Sequence, residues 1–274
     1  MSATSELTAR ADALSRELAE RGVEGCELAM VLGSGLGSFV EGLEDRLEIS
    51  GDDLEHLPKS AVPGHAGKIV VGTISGVRVL VQMGRVHLYE GWSAYEVTRA
   101  VRAFAGLGVR GLVLTNAAGS TVREWPPGTL MLMRDHLNLQ QRAPLFPEER
   151  AVGCPYDPGL CGAIEEGAQE AGVTLRSGVY AAVLGPTYET PKQVEMVRWM
   201  GGDAVGMSTV CEAAAGAAAG MRVAAVSCLT NHAAGITTER LRHEDVVAVG
   251  LEVAEDMVRL FRSAVPRLER ALRD

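Results

Sequence analysis

The sequence predicts an α/β fold built on a mixed, twisted β-sheet flanked by helices. Segments typical of strands alternate with segments typical of helices from about residue 27 onwards, and no change of composition between them marks a linker. By length alone, 274 residues fit one large α/β domain or two smaller ones, and the 47% hydrophobic content is typical of a globular protein. Because no linker is visible, we expect a single domain over residues 1–274.

Apolar runs bounded by turn residues predict eight strands, at 27–33, 68–74, 77–84, 111–116, 129–134, 178–184, 203–207 and 222–230. The dipeptide Ser75-Gly76 predicts a hairpin turn between the second and third of them. Residues 38–55 predict no convincing helix or strand, because the segment from Phe39 to Asp45 is interrupted by glycine and crowded with acidic residues.

Capping residues predict where the helices begin. The N-terminal segment 1–24 reads as an amphipathic helix packed on the domain, with Leu7, Ala11, Leu14 and Leu18 on one side. Further helices are predicted at 93–106 (Ser93 with Glu96), 158–171 (Asp157-Pro158), 191–200 (Thr190-Pro191), after Thr209 with Glu212, and from 243 to about 271.

Charge and composition exclude several classes of function. A net charge of -9 argues against nucleic acid or an anionic membrane as the main partner. The most apolar stretch, Ala213 to Met221, is far shorter than the roughly 20 residues that span a bilayer. Five cysteines without a CxxC pair predict reduced thiols and no zinc site, and the N-terminus has no secretion signal. We therefore expect a cytoplasmic protein.

The glycine-rich stretch Gly33-Ser34-Gly35-Leu36-Gly37 directly follows the first predicted strand. One reading is a tight connection that needs glycine for its backbone angles. A dinucleotide-binding fingerprint is a weak match, because Ser38 replaces the third glycine, and a Walker loop is excluded because no Gly-Lys-Ser/Thr follows. Backbone amides with the Ser34 hydroxyl remain suited to an anion the size of phosphate.

Polar residues recur where predicted strands end. Arg85, His87 and Tyr89 follow one strand at alternate positions, and an arginine fork with an imidazole suits phosphate oxygens. Similar clusters follow four other strands, at 115–119, 185–190, 205–209 and 230–231. Each alone is also compatible with turn chemistry, but together they predict one site at one edge of the sheet.

Seven short stretches, in their order along the chain, resemble those of the trimeric purine nucleoside phosphorylases in their bacterial form. The stretches are GSGLG (33–37), PGHAG (63–67), GRVHLYEG (84–91), TNAAG (115–119), GPTYET (185–190), DAVGMST (203–209) and LTNHAAGI (229–236). The resemblance implies a partly barrel-like sheet, a homotrimer, and cleavage of purine ribonucleosides or deoxyribonucleosides by inorganic phosphate to free base and pentose 1-phosphate. Phosphate is then a co-substrate, and neither a metal nor an organic cofactor is expected.

The resemblance also implies roles for individual residues. A phosphate site is implied for Ser34, His65, Arg85, His87, the Ala117 backbone and Ser208; a purine site for Tyr188, Glu189, Asn231, Ala118 and Gly119; and a ribose site for Tyr89, Met207 and His243. Asn231, Glu189 and His87 are the expected catalytic residues.

Side-chain chemistry predicts the specificity. The Asn231 amide can bond both N7 and a 6-oxo group, and the Glu189 carboxylate can accept from N1–H, which favours inosine and guanosine over adenosine. His243 donating to a 5′-hydroxyl disfavours 5′-methylthio substrates. The alternatives are a 5′-methylthioadenosine phosphorylase, a nucleoside-binding protein without turnover, and a nicotinamide-dependent oxidoreductase.

Two residues and one segment depart from the pattern of the family. His232 stands where vertebrate members have lysine, and Ser120 stands where a second glycine is usual. The segment 141–156 differs most; in the family it supplies an aromatic residue to the neighbouring subunit's site, and Phe146 and Tyr156 are the candidates here.

Overall fold

The computed structural model describes residues 3–33, 37–61, 67–150, 153–238 and 243–273. Within these residues, nine strands form one sheet: β1 (Leu28–Leu32), β2 (Glu44–Ile49), β3 (Lys68–Ile74), β4 (Val77–Met83), β5 (Gly111–Ser120), β6 (Thr129–Asn138), β7 (Leu175–Ala182), β8 (Ala204–Gly206) and β9 (Arg222–His232). All eight predicted strands are present, and the ends of several differ by two to four residues.

The sheet runs in the order β2-β3-β4-β1-β5-β8-β7-β6-β9, and β9 also pairs with β5. The strands β5, β8, β7, β6 and β9 therefore close into a ring, while β2, β3, β4 and β1 continue from it as an open sheet. Parallel and antiparallel pairs both occur, since β1 is parallel to β4 and β5 whereas β3 is antiparallel to β4. This confirms the mixed, partly barrel-like sheet.

Strand β2 is the one strand that the sequence did not predict. Its sequence EDRLEI carries four charged residues, and most of its side chains are exposed. It lies at the edge of the sheet and pairs antiparallel with β3. Charged side chains on edge strands prevent pairing with other chains, so a lack of apolar alternation is compatible with a strand at this position.

The described part of the chain forms eight α-helices around the sheet: α1 (Ala3–Glu20), α2 (Ser38–Glu41), α3 (Ala94–Val97), α4 (Arg99–Gly106), α5 (Pro158–Ala171), α6 (Pro191–Trp199), α7 (Val210–Ala218) and α8 (His243–Arg273). The capping box predicted at Ser93 is present, the predicted helix start at Thr190 also forms a capping box with Gln193, and Asp157 caps α5. The single helix predicted at 93–106 is wrong, because two helices meet at Thr98. The Thr98 hydroxyl donates to the carbonyls of Ala94 and Tyr95, which competes with regular helical bonding.

The core lies between the sheet and the helices. The residues of β1 are all buried, and Leu14 and Leu18 of α1 belong to the same apolar cluster as the strands. Helix α1 packs against α4, as predicted for the N-terminal helix. Ser75 and Gly76 both have positive φ angles, of 50° and 80°, as the predicted hairpin turn between β3 and β4 requires.

Cysteine pairing, metal-ligand clusters and membrane-spanning helices can each be checked in the described residues. All five cysteines are free thiols. In the described ranges there is no group of three His, Cys, Asp or Glu side chains that could hold a metal ion. The helices described are likewise too short or too polar for any of them to cross a membrane.

Candidate active site

The carboxyl ends of the parallel strands β1, β4 and β5 meet at one edge of the sheet. The Gly33 amide after β1 donates to the Thr115 hydroxyl of β5 at 2.9 Å, and the Gly84 amide after β4 donates to the Leu32 carbonyl at 3.1 Å. A Cβ at Gly33 would lie 2.9 Å from Cα of Asn116, so only glycine lets the chain pass this close to β5. The start of the glycine-rich stretch therefore has a steric role in bringing the strand ends together.

Arg85 is buried directly behind this edge. Its Nε donates to Glu212 Oε1 at 3.1 Å, and its Nη1 and Nη2 donate to the carbonyls of Thr115 and Val31 at 2.6 and 3.2 Å. The side chains of Arg85 and Glu212 are only 2% and 5% exposed. Burial raises the pKa of Glu212, and the positive charge of Arg85 opposes that rise. The guanidinium is thus fixed by acceptors from two strands and from α7.

His87 is held by Glu90. The Glu90 carboxylate accepts from the His87 amide at 2.7 Å and lies 3.0 Å from His87 Nδ1. It also accepts from the Ser60 hydroxyl and the Ala61 amide. Burial alone would raise the pKa of Glu90, but these hydrogen bonds outweigh it and lower the pKa. Glu90 is therefore ionised at neutral pH and can only accept hydrogen bonds.

The protonation state and tautomer of the His87 imidazole follow from this arrangement. Burial lowers its pKa, the bond to Glu90 raises it, and Arg85 lowers it, with a net decrease. The ring is therefore neutral near pH 7, and the proton lies on Nδ1 because Nδ1 faces an obligate acceptor. Nε2 is then the acceptor nitrogen, which suits it to take a hydrogen bond from a protonated phosphate oxygen.

Ser208 lies in a strained turn between β8 and α7. Thr209 has φ 75° and ψ -48°, and the Val210 amide donates to the Ser208 carbonyl at 2.9 Å, which together define a classic γ-turn. Such a conformation in a β-branched residue costs about 1–3 kcal/mol. Asn116 Nδ2 donates to the Thr209 hydroxyl at 2.8 Å, and the Ser208 amide bonds the buried Tyr180 hydroxyl at 3.3 Å. The surrounding structure therefore compensates the strain.

The Thr209 cap predicted for α7 is not formed. The Thr209 side chain makes no capping hydrogen bond, because its hydroxyl instead accepts from Asn116 of β5. Glu212, the expected partner in the cap, instead accepts from Arg85. The hydroxyl therefore serves the site and not the helix.

The predicted ribose contacts Tyr89 and Met207 lie together beside Gly185. A Cβ on Gly185 would approach Met207 Sδ to 2.4 Å and Tyr89 Cδ1 to 3.1 Å, and its φ of 73° also favours glycine. The rings of His87 and Tyr89 stack with their centroids 4.7 Å apart. Burial raises the pKa of Tyr89 to about 12, so its hydroxyl stays protonated. The ribose and phosphate candidates are therefore contiguous.

A β-bulge places Asn231 at the same edge. Along the β5–β9 ladder Ala118 pairs with Leu229, but Gly119 pairs with Asn231, so Thr230 is the extra residue. Bulges bend a strand locally and redirect the side chains that follow. A Cβ on Gly119 would lie 3.0 Å from Asn231 Nδ2, so the glycine leaves room for the amide.

The Asn231 amide is oriented by its chain neighbours. Its Oδ1 accepts from the Thr230 hydroxyl at 3.0 Å, and its Nδ2 donates to the His232 carbonyl at 2.9 Å. His232 Nε2 lies 3.2 Å from the Arg123 carbonyl, so this bond ties the His232 ring to the loop after β5.

The loop after β7 carries the other two purine-site candidates, Tyr188 and Glu189. Tyr188 is 45% exposed, as is usual for a side chain that packs on a ligand or partner. Glu189 is half-buried, and this burial raises the pKa of its carboxyl against a hydrogen bond from its own backbone amide.

Four candidate site residues remain: Ser34, His65, His243 and Ala117. Ser34 and His65 lie outside the described residues. His243 is the first residue of α8, and its side chain is not among those described. Ala117 lies within β5, which extends further than predicted, and is the one half-exposed residue of that strand.

Phe146 and Tyr156 both point into their own chain. The Phe146 ring stacks on Tyr95 with centroids 4.6 Å apart, and Arg102 lies over it. Tyr156 is 6% exposed, and its hydroxyl lies 3.0 Å from Nδ1 of His136. Both rings therefore pack against residues of their own chain.

Three polar residues of this region were not singled out for a functional role from the sequence. Glu90 belongs to the stretch 84–91, and Glu212 was noted only as a helix cap. Gln140 is buried, and its amide donates to the Val183 and Met207 carbonyls at 3.1 and 3.3 Å. The spacing His87-x-x-Glu90 was a usable signal, because it repeats the capping pattern of Ser93-x-x-Glu96. For Gln140 the sequence carries no signal.

Comparisons with known proteins agree with this geometry. Residues 27–266 match the sequence profile described as "Phosphorylase superfamily". Purine nucleoside phosphorylase 1 of Bacillus subtilis is 41% identical over 90% of this chain and 94% of its own length. Purine nucleoside phosphorylase of Mycobacterium tuberculosis is 39% identical over 96% of each chain.

Solved structures agree as well. The crystal structure of Schistosoma mansoni purine nucleoside phosphorylase in complex with inosine superposes with a TM-score of 0.86 at 31% identity, over 94% of this chain and 95% of that one. A Schistosoma purine nucleoside phosphorylase in complex with hypoxanthine gives a TM-score of 0.87 at 30% identity, over 94% and 96% of the two chains. The chain therefore belongs to the phosphorylase superfamily and, within it, to the purine nucleoside phosphorylases of the bacterial type.

Proposed function

We propose that this protein catalyses the reversible phosphorolysis of purine ribonucleosides and deoxyribonucleosides, mainly those of 6-oxopurines, giving free base and pentose 1-phosphate. One observation carries the proposal: His87 and Ser208 line one cavity together with Glu212, whose carboxylate accepts from the buried Arg85 guanidinium at 3.1 Å. Phosphate is the second substrate.

Phosphate binding is assigned to Ser34, His65, Arg85, His87, the Ala117 backbone and Ser208. The fixed charge of Arg85 favours an anion in a site from which water is largely excluded. Nε2 of His87 accepts from the protonated oxygen of the phosphate, and the Ser208 hydroxyl donates to another. As the glycosidic bond breaks, positive charge develops on the sugar, and a phosphate dianion held beneath it stabilises that charge.

The leaving base is assigned to Tyr188, Glu189, Asn231, Ala118 and Gly119. Negative charge develops on the purine ring as the bond breaks, and Asn231 stabilises it by donating from Nδ2 to the 6-oxo group. N7 takes up a proton from solvent, and Oδ1 of Asn231 accepts from the resulting N7–H. The Glu189 carboxylate accepts from N1–H. This arrangement favours hypoxanthine and guanine, because adenine offers a donor at position 6 where Asn231 presents Nδ2.

The sugar is assigned to Tyr89, Met207 and His243. Met207 and Tyr89 adjoin Gly185 and the stacked ring of His87, which supports a ribose pocket between the phosphate and purine sites. A 5′-hydroxyl that accepts from His243 distinguishes nucleosides from their 5′-methylthio analogues, because sulfur is a poor acceptor.

We also propose a cytoplasmic homotrimer that needs no metal or organic cofactor. The exposed apolar side chains of Leu184 and Tyr188, which flank the loop carrying Glu189, support a subunit contact near the site. Light scattering after gel filtration tests this assembly, and a mass of one chain rejects it. Activity that survives exhaustive dialysis against a chelator is expected, and its loss rejects the cofactor assignment.

The decisive experiment measures free base released from inosine, guanosine, adenosine and 5′-methylthioadenosine, each with and without inorganic phosphate. We expect phosphate-dependent release from inosine and guanosine. A preference for adenosine or its methylthio analogue contradicts the role of Asn231 but not the reaction class. Nucleoside binding without release rejects the enzyme in favour of a binding protein.

A further inference from the structure

Glu212 is a buried carboxylate that none of the proposed substrate contacts uses. Its side chain is 5% exposed and lies in the first turn of α7. A carboxylate is expensive to bury unless it is paired and hydrogen-bonded. The Arg85 Nε donates to it at 3.1 Å, and the two side chains form a buried ion pair.

The two members of this pair come from distant parts of the chain, and Glu212 lies in the first turn of α7, directly after the Ser208 turn. Arg85 follows β4, whereas Thr209 follows β8, and 127 residues separate Arg85 from Glu212 in sequence. The carboxylate therefore connects the guanidinium to the turn that presents Ser208. A displacement of Glu212 therefore moves two phosphate-binding groups of the protein at once, the Arg85 guanidinium and the Ser208 turn.

The turn needs such a connection because it is strained. Thr209 has a φ of 75°, which a β-branched residue adopts only when its surroundings hold it. Asn116 holds its hydroxyl, and Glu212 anchors the helix that begins directly after it to Arg85. Without the carboxylate, the start of α7 loses this anchor, and the turn can relax towards an ordinary helix start.

We propose that Glu212 is a positioning residue for phosphate, which fixes the Arg85 guanidinium and the Ser208 turn at the separation that a phosphate ion requires. This role rests on the proposed function. Glu212 acts through Arg85 and the start of α7, whereas the nucleoside is assigned to residues of other segments. Its loss therefore weakens phosphate binding much more than nucleoside binding.

The test is Glu212→Gln, which preserves size and one acceptor oxygen but removes the charge. Steady-state kinetics should give a KM for phosphate raised about tenfold or more, the usual loss for a hydrogen bond between charged groups, with the KM for inosine within about twofold. A second readout needs no turnover: phosphate alone should raise the melting temperature of the wild-type protein, and this shift should be lost in the variant, whereas the shift produced by hypoxanthine should remain.

Asp157→Asn is the matched control. Asp157 pairs with Arg222 at 2.8 Å and caps α5, so this change also removes the charge of a partly buried pair, at a place remote from the site. We expect it to lower stability while leaving both KM values unchanged. Equal increases in both KM values in Glu212→Gln, or an unchanged KM for phosphate, would overturn the proposal.

Two further results separate the possible failures. If wild-type protein shows no phosphate-dependent cleavage, the proposed function itself is wrong; if it cleaves inosine and Glu212→Gln does so with the same phosphate KM, only the positioning role is wrong. Should Glu212→Gln fail to fold, Glu212→Asp, which keeps the charge but withdraws it by one methylene, is measured in its place. The same two outcomes then decide.

Discussion

Nδ1 of His87 lies 3.0 Å from Oε1 of Glu90, and the same carboxylate accepts the backbone amide of His87 at 2.7 Å. The two contacts fix both the position and the tautomer of the imidazole. The carboxylate also accepts from Ser60 and Ala61, which immediately precede the segment carrying His65. Glu90 thus joins the stretch 84–91 to the chain that leads into PGHAG.

Replacing Glu90 with glutamine should impair the use of phosphate. A glutamine side chain has one acceptor oxygen, which can face either His87 or the donors Ser60 and Ala61, while its NH₂ group faces the other set. Because the oxygen no longer has to face His87, the tautomer of the imidazole is no longer fixed. We expect kcat/KM for phosphate to fall roughly 10- to 100-fold, the loss typical of a hydrogen bond to a charged group. The pKa of His87 should fall further, because the bond to Glu90 is what raises it, and NMR titration of the ring can follow this.

Glu96→Gln provides a control with the same local chemistry. Glu96 also occupies the third position of a capping box, accepts from the Ser93 amide at 3.0 Å, and pairs with Arg99. It lies outside the proposed site, so kinetics should change little while stability drops modestly. Equal losses of activity in the two variants would contradict a specific role for Glu90.

The strand ends of the site could be predicted from sequence because the signal is local. Polar residues directly after apolar runs located Arg85, His87 and Asn231 at one edge, since the carboxyl ends of neighbouring parallel strands meet there. The bulge at Thr230 and the γ-turn at Thr209 could not be predicted, because each depends on a ladder or a partner from another part of the chain.

Long-range partners explain the residues without a predicted role. Glu212 in the sequence is an ordinary first-turn acid, and only the fold brings it to Arg85, 127 residues away. Strand β2 was missed for the same reason, because its charged sequence is compatible with an edge strand, but without β3 beside it nothing distinguishes it from a loop.

On acidification, nucleoside affinity should be lost at a higher pH than it would be if Glu189 had the ordinary pKa of a glutamate. Burial raises the pKa of Glu189, and the proposed bond from N1–H requires the ionised carboxylate. As the pH falls through this raised pKa, the group takes up a proton and stops accepting, so the inosine Kd should rise at a pH above the usual 4.5. Calorimetric titration without phosphate avoids the ionisation of that substrate. In Glu189→Gln, binding should be weaker and lose this acid dependence; an identical acid limb would assign it to another group.

Asn231→Asp should reverse the preference for the base. A carboxylate cannot donate to a 6-oxo group but can accept from a 6-amino group. We expect kcat/KM for inosine to fall by about 10² or more, because the buried 6-oxo group would be left without its donor, with some gain on adenosine. His232→Ala is the neighbouring control: its ring is tied to the Arg123 carbonyl, and activity should stay within about twofold. Unchanged inosine cleavage in Asn231→Asp would remove this residue from the mechanism.

Gly185→Ala should disturb the ribose pocket without touching the phosphate site. The new methyl group would lie 2.4 Å from Met207 Sδ and 3.1 Å from Tyr89 Cδ1, so both side chains must shift. The KM for inosine should rise several-fold while the KM for phosphate stays constant, and the positive φ of 73° adds a stability loss of about 1 kcal/mol. Gly201→Ala has the same backbone cost, with a φ of 86°, but its methyl group would meet nothing within 4 Å. That variant should lose similar stability in chemical denaturation and keep both KM values. If the two variants behave alike in kinetics, backbone strain and not contact with Tyr89 and Met207 explains the effect.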